Sequence, residues 1–242
     1  GERWGRHWLD VARYAESNGN SRNATFPHAW RYRDYVIDSF NTDKPYNQFV
    51  KEQLVGGAFE AEAATGFIVA GPHDMVFGKD PAHQATLRQN DLAEMVNATG
   101  TTFLGLTLGC ARCHNHKTDP ISTEEYYSMA ALFAGVWHGA QHGVHSVRVA
   151  NPGVMRVHLR GSAASLGQEV PPAGVSALAG VNADFKLTSA ASDAERRKAA
   201  ADWMTNPANP LFSRVIVNRI WHQHFGRGLV KKPSDFGAGG WA

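Results

Sequence analysis

The chain of 242 residues contains only two cysteines, which excludes the class of small secreted folds held together by several disulfides. No apolar run approaches the roughly 18 residues that a membrane-spanning helix needs, because Gly, Thr or charge interrupts each one. Membrane insertion is therefore not expected. Neither sign of charge dominates: 24 Lys and Arg face 22 Asp and Glu, for a net +2. The two signs are interspersed, which leaves no electrostatic footprint for nucleic acid or an anionic surface. Internal repeats, low-complexity tracts, a G-x-S-x-G elbow and an H-E-x-x-H helix are all missing, which argues against the serine-hydrolase and zincin readings. The chain opens at Gly1 with no basic or apolar leader, so an export signal is expected upstream or already removed.

What is present reads mainly as helix. Trp4, Trp8, Val11 and Ala15 share one face of a predicted helix over 1–17, with His7, Asp10 and Tyr14 on a neighbouring polar strip. An Asn- and Ser-rich loop follows and delivers His28, Trp30, Arg31 and Arg33. Helices are predicted over 30–41 and over 45–57, the latter stopped by a Gly pair. Leu87, Leu92, Met95, Val96, Phe103 and Leu104 sustain a helical period from 83 to 108. Ser122 and Glu125 form an S-x-x-E capping box opening a helix that reads through to Trp137. Short strands are expected at HSVRVA and MRVHLRG within a Gly- and Pro-rich middle. Asn209 and Pro210 start a last helix, which Gly226 stops. That helix places Arg214, Asn218, Trp221 and Phe225 on one face, a polar and aromatic mixture suited to a pocket wall. The expected fold is mainly α, helices packed around a haem-binding loop, with a small β element in the middle. The expected organisation is 1–137 with the motif, 138–192 as connector, and 193–242 as the helical start of a second segment.

The chemistry concentrates at Cys110-Ala-Arg-Cys113-His114. Two thiols spaced C-x-x-C can each add across one vinyl group of haem, and the following His offers its imidazole to the iron. The reading is covalent haem c, with Cys110, Cys113 and His114 as attachment and ligand residues, His114 as the metal ligand, and His116 as a contact to a propionate or a supporting group. Two alternatives stay open: a redox dithiol or structural disulfide, and zinc held by Cys110, Cys113 and two of His114, His116 and a distant His. The sixth iron position decides between electron transfer and oxygen chemistry. Its candidates are Met75, Met129, Met155, His7, His28, His138, His142 and His222.

With those residues in view, the chain resembles a planctomycete-type cytochrome-c-like family of large secreted proteins in which two domains of unknown function occur together. GERWGRHWLDVARYAES, WRYRDYVIDSFNTDKPYNQFVKEQL, ATGFIVAGP and TGTTFLGLTLGCARCHNHKTDPIS are similar to the first domain. NPLFSRVIVNRIWHQHFGRGLVKKPSDFG is similar to the opening of the second, and MRVHLRGSAASLGQEVPPAG to the segment before it. The chain resembles an abridged or partial member, short around 138–152. Members read C-x-x-C-H-D-H-K; this chain has Asn115 in place of the Asp, and Thr118 follows the motif. Asn keeps a hydrogen bond there and loses a negative charge.

The resemblance implies a periplasmic or secreted protein acting beside polysaccharide breakdown. The leading expectation is a mono-haem electron carrier with a redox partner protein. A haem oxidoreductase, peroxidase-like or acting on carbohydrate, is the second, with the 17–35 loop as substrate wall. A non-haem hydrolase built on His7, Asp10 and Asp34, with a structural C-x-x-C, is the third.

Overall fold

A computed structural model describes residues 1–20, 23–76, 78–138 and 148–241. Among the described residues, eight helices carry the fold: α1 (Glu2–Val11), α2 (Trp30–Asn41), α3 (Tyr46–Val55), α4 (Gly66–Val69), α5 (Pro81–Thr99), α6 (Thr123–Leu132), α7 (Asp193–Met204) and α8 (Pro210–Phe225). Two antiparallel strand pairs accompany them. β1 (Val136–Trp137) pairs with β2 (Arg148–Val149), and β3 (Met155–His158) pairs with β4 (Leu166–Val170) through an irregular register. The mainly helical expectation with a small β element therefore holds.

Local chemistry explains several boundaries. Asp80 accepts from the amides of Ala82 and His83 ahead of Pro81, which opens α5. Capping boxes at Ser122 with Glu125 and at Ser192 with Glu195 open α6 and α7. Asn209 accepts from Leu211 N–H and Pro210 stands at the first position of α8, whose end is Gly226 at φ +76°.

Three expected elements differ. α1 stops at Val11, and Arg13 turns the chain at φ +58°, so that its guanidinium reaches Glu94 Oε2 at 2.7 Å; Ala15 is exposed rather than on a helical face. The 83–108 period ends as α-helix at Thr99, continues as a wider turn over Gly100–Leu104, and breaks at Gly105. α6 ends at Leu132, and Val136 and Trp137 form β1 instead of its last turn. The expected strand over HSVRVA is described only from Arg148 onward, and His142 lies outside the described residues.

The core joins α1 through α6 with α7 and the β3/β4 pair in one buried cluster. Its centre contains polar groups that satisfy one another. Trp8 Nε1 donates to Gln53 Oε1 at 2.9 Å, Tyr32 Oη donates to the same oxygen at 2.7 Å, and all three side chains are buried. Phe49, Phe67 and Phe103 pack their rings around Trp8.

Buried arginines tie the C-terminal segment to the rest. A helix leaves its last carbonyls without intrahelical donors and carries partial negative charge there. Arg197 Nη1 donates to Leu54 O at 2.7 Å and Val55 O at 3.2 Å, at the end of α3. Arg196, with no exposed surface, donates to Ala131 O at 2.9 Å in the last turn of α6, and also to the carbonyls of Gly153, Ser189 and Ala191. Arg219 of α8 donates to the carbonyls of Thr101 and Thr102 in the turn that follows α5. Arg88 donates to Ala134 O at 2.7 Å just past α6.

Two outcomes follow from this packing. Arg197 also pairs with buried Asp193, at 2.6 Å, so Arg197→Ala strands a carboxylate as well as two carbonyls. The expected cost is about 3–5 kcal/mol by urea unfolding, with a smaller loss when Asp193→Ala is added.

On α3, Glu52 is 4% exposed at its side chain. Burial alone raises its pKa, but hydrogen bonds from Lys44, Tyr35 and Gln48 outweigh burial and hold the carboxyl below its ordinary value. A depressed folded pKa adds stability above the unfolded value of about 4.3 and loses it as pH falls through the folded one. Unfolding followed from neutral pH into this acid range is therefore expected to be shallower in Glu52→Gln than in the unaltered chain.

Candidate functional site

The motif lies on a short 3-10 helix, Leu108–Arg112, and the loop that leads into α6. Leu108 and Ala111 are buried and fasten the turn, while Cys110 and Cys113 are exposed free thiols. The turn lies so close to α5 that a Cβ at Gly109 would meet Asn97 Oδ1 at 2.5 Å, so a larger residue there would have to displace the Asn97 side chain. Arg112 donates twice to Asn90 Oδ1 of α5 at 3.1 Å, which fixes the second end of the turn.

His114 is exposed, and its Nδ1 lies 2.7 Å from the carbonyl oxygen of Asn115. A carbonyl can only accept, so Nδ1 carries the proton in the neutral ring and Nε2 keeps its lone pair. That is the tautomer a metal-binding imidazole takes when a backbone carbonyl orients it.

His116 is placed differently. Its side chain is 6% exposed, its Nδ1 accepts from Asp119 N–H at 3.0 Å, and its Nε2 lies 3.1 Å from Thr107 Oγ1. Both ring nitrogens are thus spent inside the loop, which His116 closes with its amide on Ile121 O. Asp119 in turn accepts from Ala238 N–H at 2.7 Å, linking this loop to the far end of the chain. Asn115 Oδ1 accepts from Thr123 N–H at 2.9 Å, at the start of α6. The hydrogen bond expected of Asn at this position is made, at a helix end where an Asp would have added favourable charge.

Beside Cys113 opens a cleft of about 380 Å³ lined by Asn115, Glu124, Val157, His158, Leu159 and Arg160. Gly161, at φ +74°, brings the β3/β4 turn against Cys113; a Cβ there would meet the sulfur at 2.6 Å. Leu159 is 54% exposed. His158 stacks on Tyr127 at 5.1 Å, and its Nδ1 is buried without a hydrogen-bond partner among the described residues. Burial, and then Arg112, lowers the pKa of His158, keeping the ring neutral. No motif pointed to His158. The only signal was its place next to Val157 in MRVHLRG, forty-five residues beyond the cysteines.

Other expected groupings do not form. Among the described residues, the one set of three His, Cys, Asp or Glu whose ligand atoms converge is His73, Asp91 and His138. Cys110, Cys113, His114 and His116 make no such set, nor do His7, Asp10 and Asp34. Met129 is buried and Met155 is 6% exposed, while His7 lines a separate aromatic cleft. His28 is exposed. On α8, Asn218 is buried and clasps the backbone of Val230 at 3.0 and 2.9 Å. Trp221 and Phe225 stay exposed, so the predicted mixed face lines no single pocket.

No helix among the described residues is long and apolar enough to cross a membrane. Compared with known proteins, residues 1–138 match the model of the PSCyt2 family, a protein of unknown function (DUF1549). Residues 196–242 match the PSD1 family, a protein of unknown function (DUF1553). No curated protein matches, and no solved structure matches. The first match covers more than half of the chain and includes the whole cysteine loop, so the chain belongs to the PSCyt2 family.

Proposed function

We propose that the loop at Cys110 to His114 is a covalent haem c attachment site and that the protein is a mono-haem electron carrier of the periplasm or cell exterior. One observation carries the reading: two exposed free thiols and an exposed His, whose Nδ1 faces the Asn115 carbonyl and leaves Nε2 outward, sit together on one loop. The donor set fits haem. The thiols of Cys110 and Cys113 would hold the group by adding across its two vinyl bonds, sulfur to one carbon and the thiol proton to the other, an addition that needs no oxidant. Asn115 O holds His114 in the ligating tautomer. Leu159 and Val157 offer an apolar wall beside Cys113, and Arg160 a cation for a carboxylate at the rim. When bound, haem supplies a one-electron redox centre whose potential depends on axial ligation and exposure. The partner on this reading is a redox protein.

A second reading, an oxidative enzyme acting on carbohydrate, is favoured by a separate cleft of about 620 Å³ between α1, the α2/α3 loop and α8. Trp4, Trp8, Phe40 and Tyr46 present aromatic faces there, beside Lys44 and Arg219. It shares no lining residue with the Cys113 cleft.

The test is the visible spectrum of protein matured in a host that attaches c-type haem, oxidised and reduced. A Soret band that survives denaturation, with six-coordinate low-spin iron, is expected. His114→Ala should keep the band and change the spin state, and Cys110→Ala with Cys113→Ala should remove the band. Five-coordinate high-spin iron moves the reading to the oxidative enzyme, and no band after correct maturation overturns both.

A further inference from the structure

Away from the cysteine loop, three residues far apart in sequence meet in the interior. His73 follows α4, Asp91 lies on α5, and His138 follows β1. Their side chains are 12%, 10% and 7% exposed. His73 Nδ1 lies 3.1 Å from Asp91 Oδ1, and His138 Nδ1 lies 3.9 Å from Asp91 Oδ2. One ligand atom from each residue falls within 4.8 Å of the other two.

Two features distinguish this group from an ordinary buried hydrogen-bond set. The His138 Nδ1 is buried and has no hydrogen-bond partner among the described residues, an arrangement that costs free energy unless something else satisfies it. The two imidazoles also lie face to face, centroids 3.8 Å apart and planes 14° apart, with both Nδ1 atoms toward one carboxylate.

The nearby cations are already engaged. Arg13 pairs with Glu94 at 2.7 Å. Arg88 donates to Ala134 O and lies over the Trp137 ring at 4.0 Å. His73 is held by its backbone, which exchanges hydrogen bonds with Asn18: His73 N–H donates to Asn18 O at 3.0 Å, and Asn18 Nδ2 donates to His73 O at 2.9 Å. Asn18 is fully buried.

We infer that His73, Asp91 and His138 form a binding site for a divalent first-row transition metal, with zinc the best fit, independent of the cysteine loop. Two imidazole nitrogens and one carboxylate oxygen are the donors such an ion takes, and three protein ligands leave a position for water or an added ligand. The two ring planes stack within 14° of each other, so holding one ion with both imidazoles would require a ring to turn about its Cβ–Cγ bond, exchanging the stacking contact for a coordinate bond.

The probe is Zn²⁺ alone, measured by equilibrium dialysis and by melting temperature, on the full chain and on the Cys110→Ala, Cys113→Ala double variant. Because the double variant cannot attach haem, the result is separate from that of the haem experiment. One zinc per chain is expected in both proteins, with a rise in melting temperature that grows with free Zn²⁺. His138→Ala should weaken binding at least about tenfold, and circular dichroism shows whether it keeps the native helix content. As a second readout on the unaltered ligands, Co²⁺ in the double variant should give a tetrahedral or five-coordinate absorption spectrum without thiolate charge transfer. Binding that disappears with the cysteines, binding that His138→Ala leaves unchanged in a folded protein, or no binding to the full chain would overturn the site.

Discussion

The guanidinium groups of Arg196, Arg197 and Arg219 enter the protein interior and end on backbone carbonyls at or just beyond the ends of α3, α5 and α6. A helix end buried without donors would be costly, and a cation there also meets the negative end of the helix dipole. All three arginines lie in the segment matched by PSD1, and the helix-end carbonyls they reach lie in the segment matched by PSCyt2, while Arg196 also donates to Gly153, Ser189 and Ala191 between the two. The two family segments thus pack through donors that one supplies and acceptors that the other lacks partners for. Arg88 does the same within the first segment.

This capping bears directly on the cysteine loop. The loop runs from the turn after α5 to the start of α6, so Arg219 holds the backbone that leads into it and Arg196 holds the far end of the helix that leads out. Between those anchors the loop is fastened by groups of its own: Arg112 on Asn90, His116 on Asp119 and Thr107, Asn115 on Thr123. Cys110, Cys113 and His114 are left exposed. The haem attachment proposed for this loop would need both a rigid frame and accessible thiols, and this division of labour offers each.

Much of the frame was legible from local signals. Ser122 with Glu125, Asn209 with Pro210, and the glycines after α3 and α8 act through backbone groups a few residues away, so the spacing alone locates them. The failures share a cause. The early end of α1 depends on Arg13 reaching Glu94, eighty-one residues on, and Trp137 leaves the helix to pair with Arg148 across a long connection. The same distance hid His158 beside Cys113 and the meeting of His73, Asp91 and His138. Nothing near Arg196, Arg197 and Arg219 in sequence announces a carbonyl to cap. The C-A-R-C-H motif itself was plain, and the placement of His116 inside the loop was not.

The central claim is that the cysteine loop forms two covalent bonds to haem. Intact-mass spectrometry of the denatured protein, purified from a host with and without c-type haem attachment, tests it most directly. The account predicts a gain of one haem mass only in the first, lost in the Cys110→Ala, Cys113→Ala variant. An unmodified mass from the attaching host, where a known c-type cytochrome in the same cells is fully matured, would contradict it.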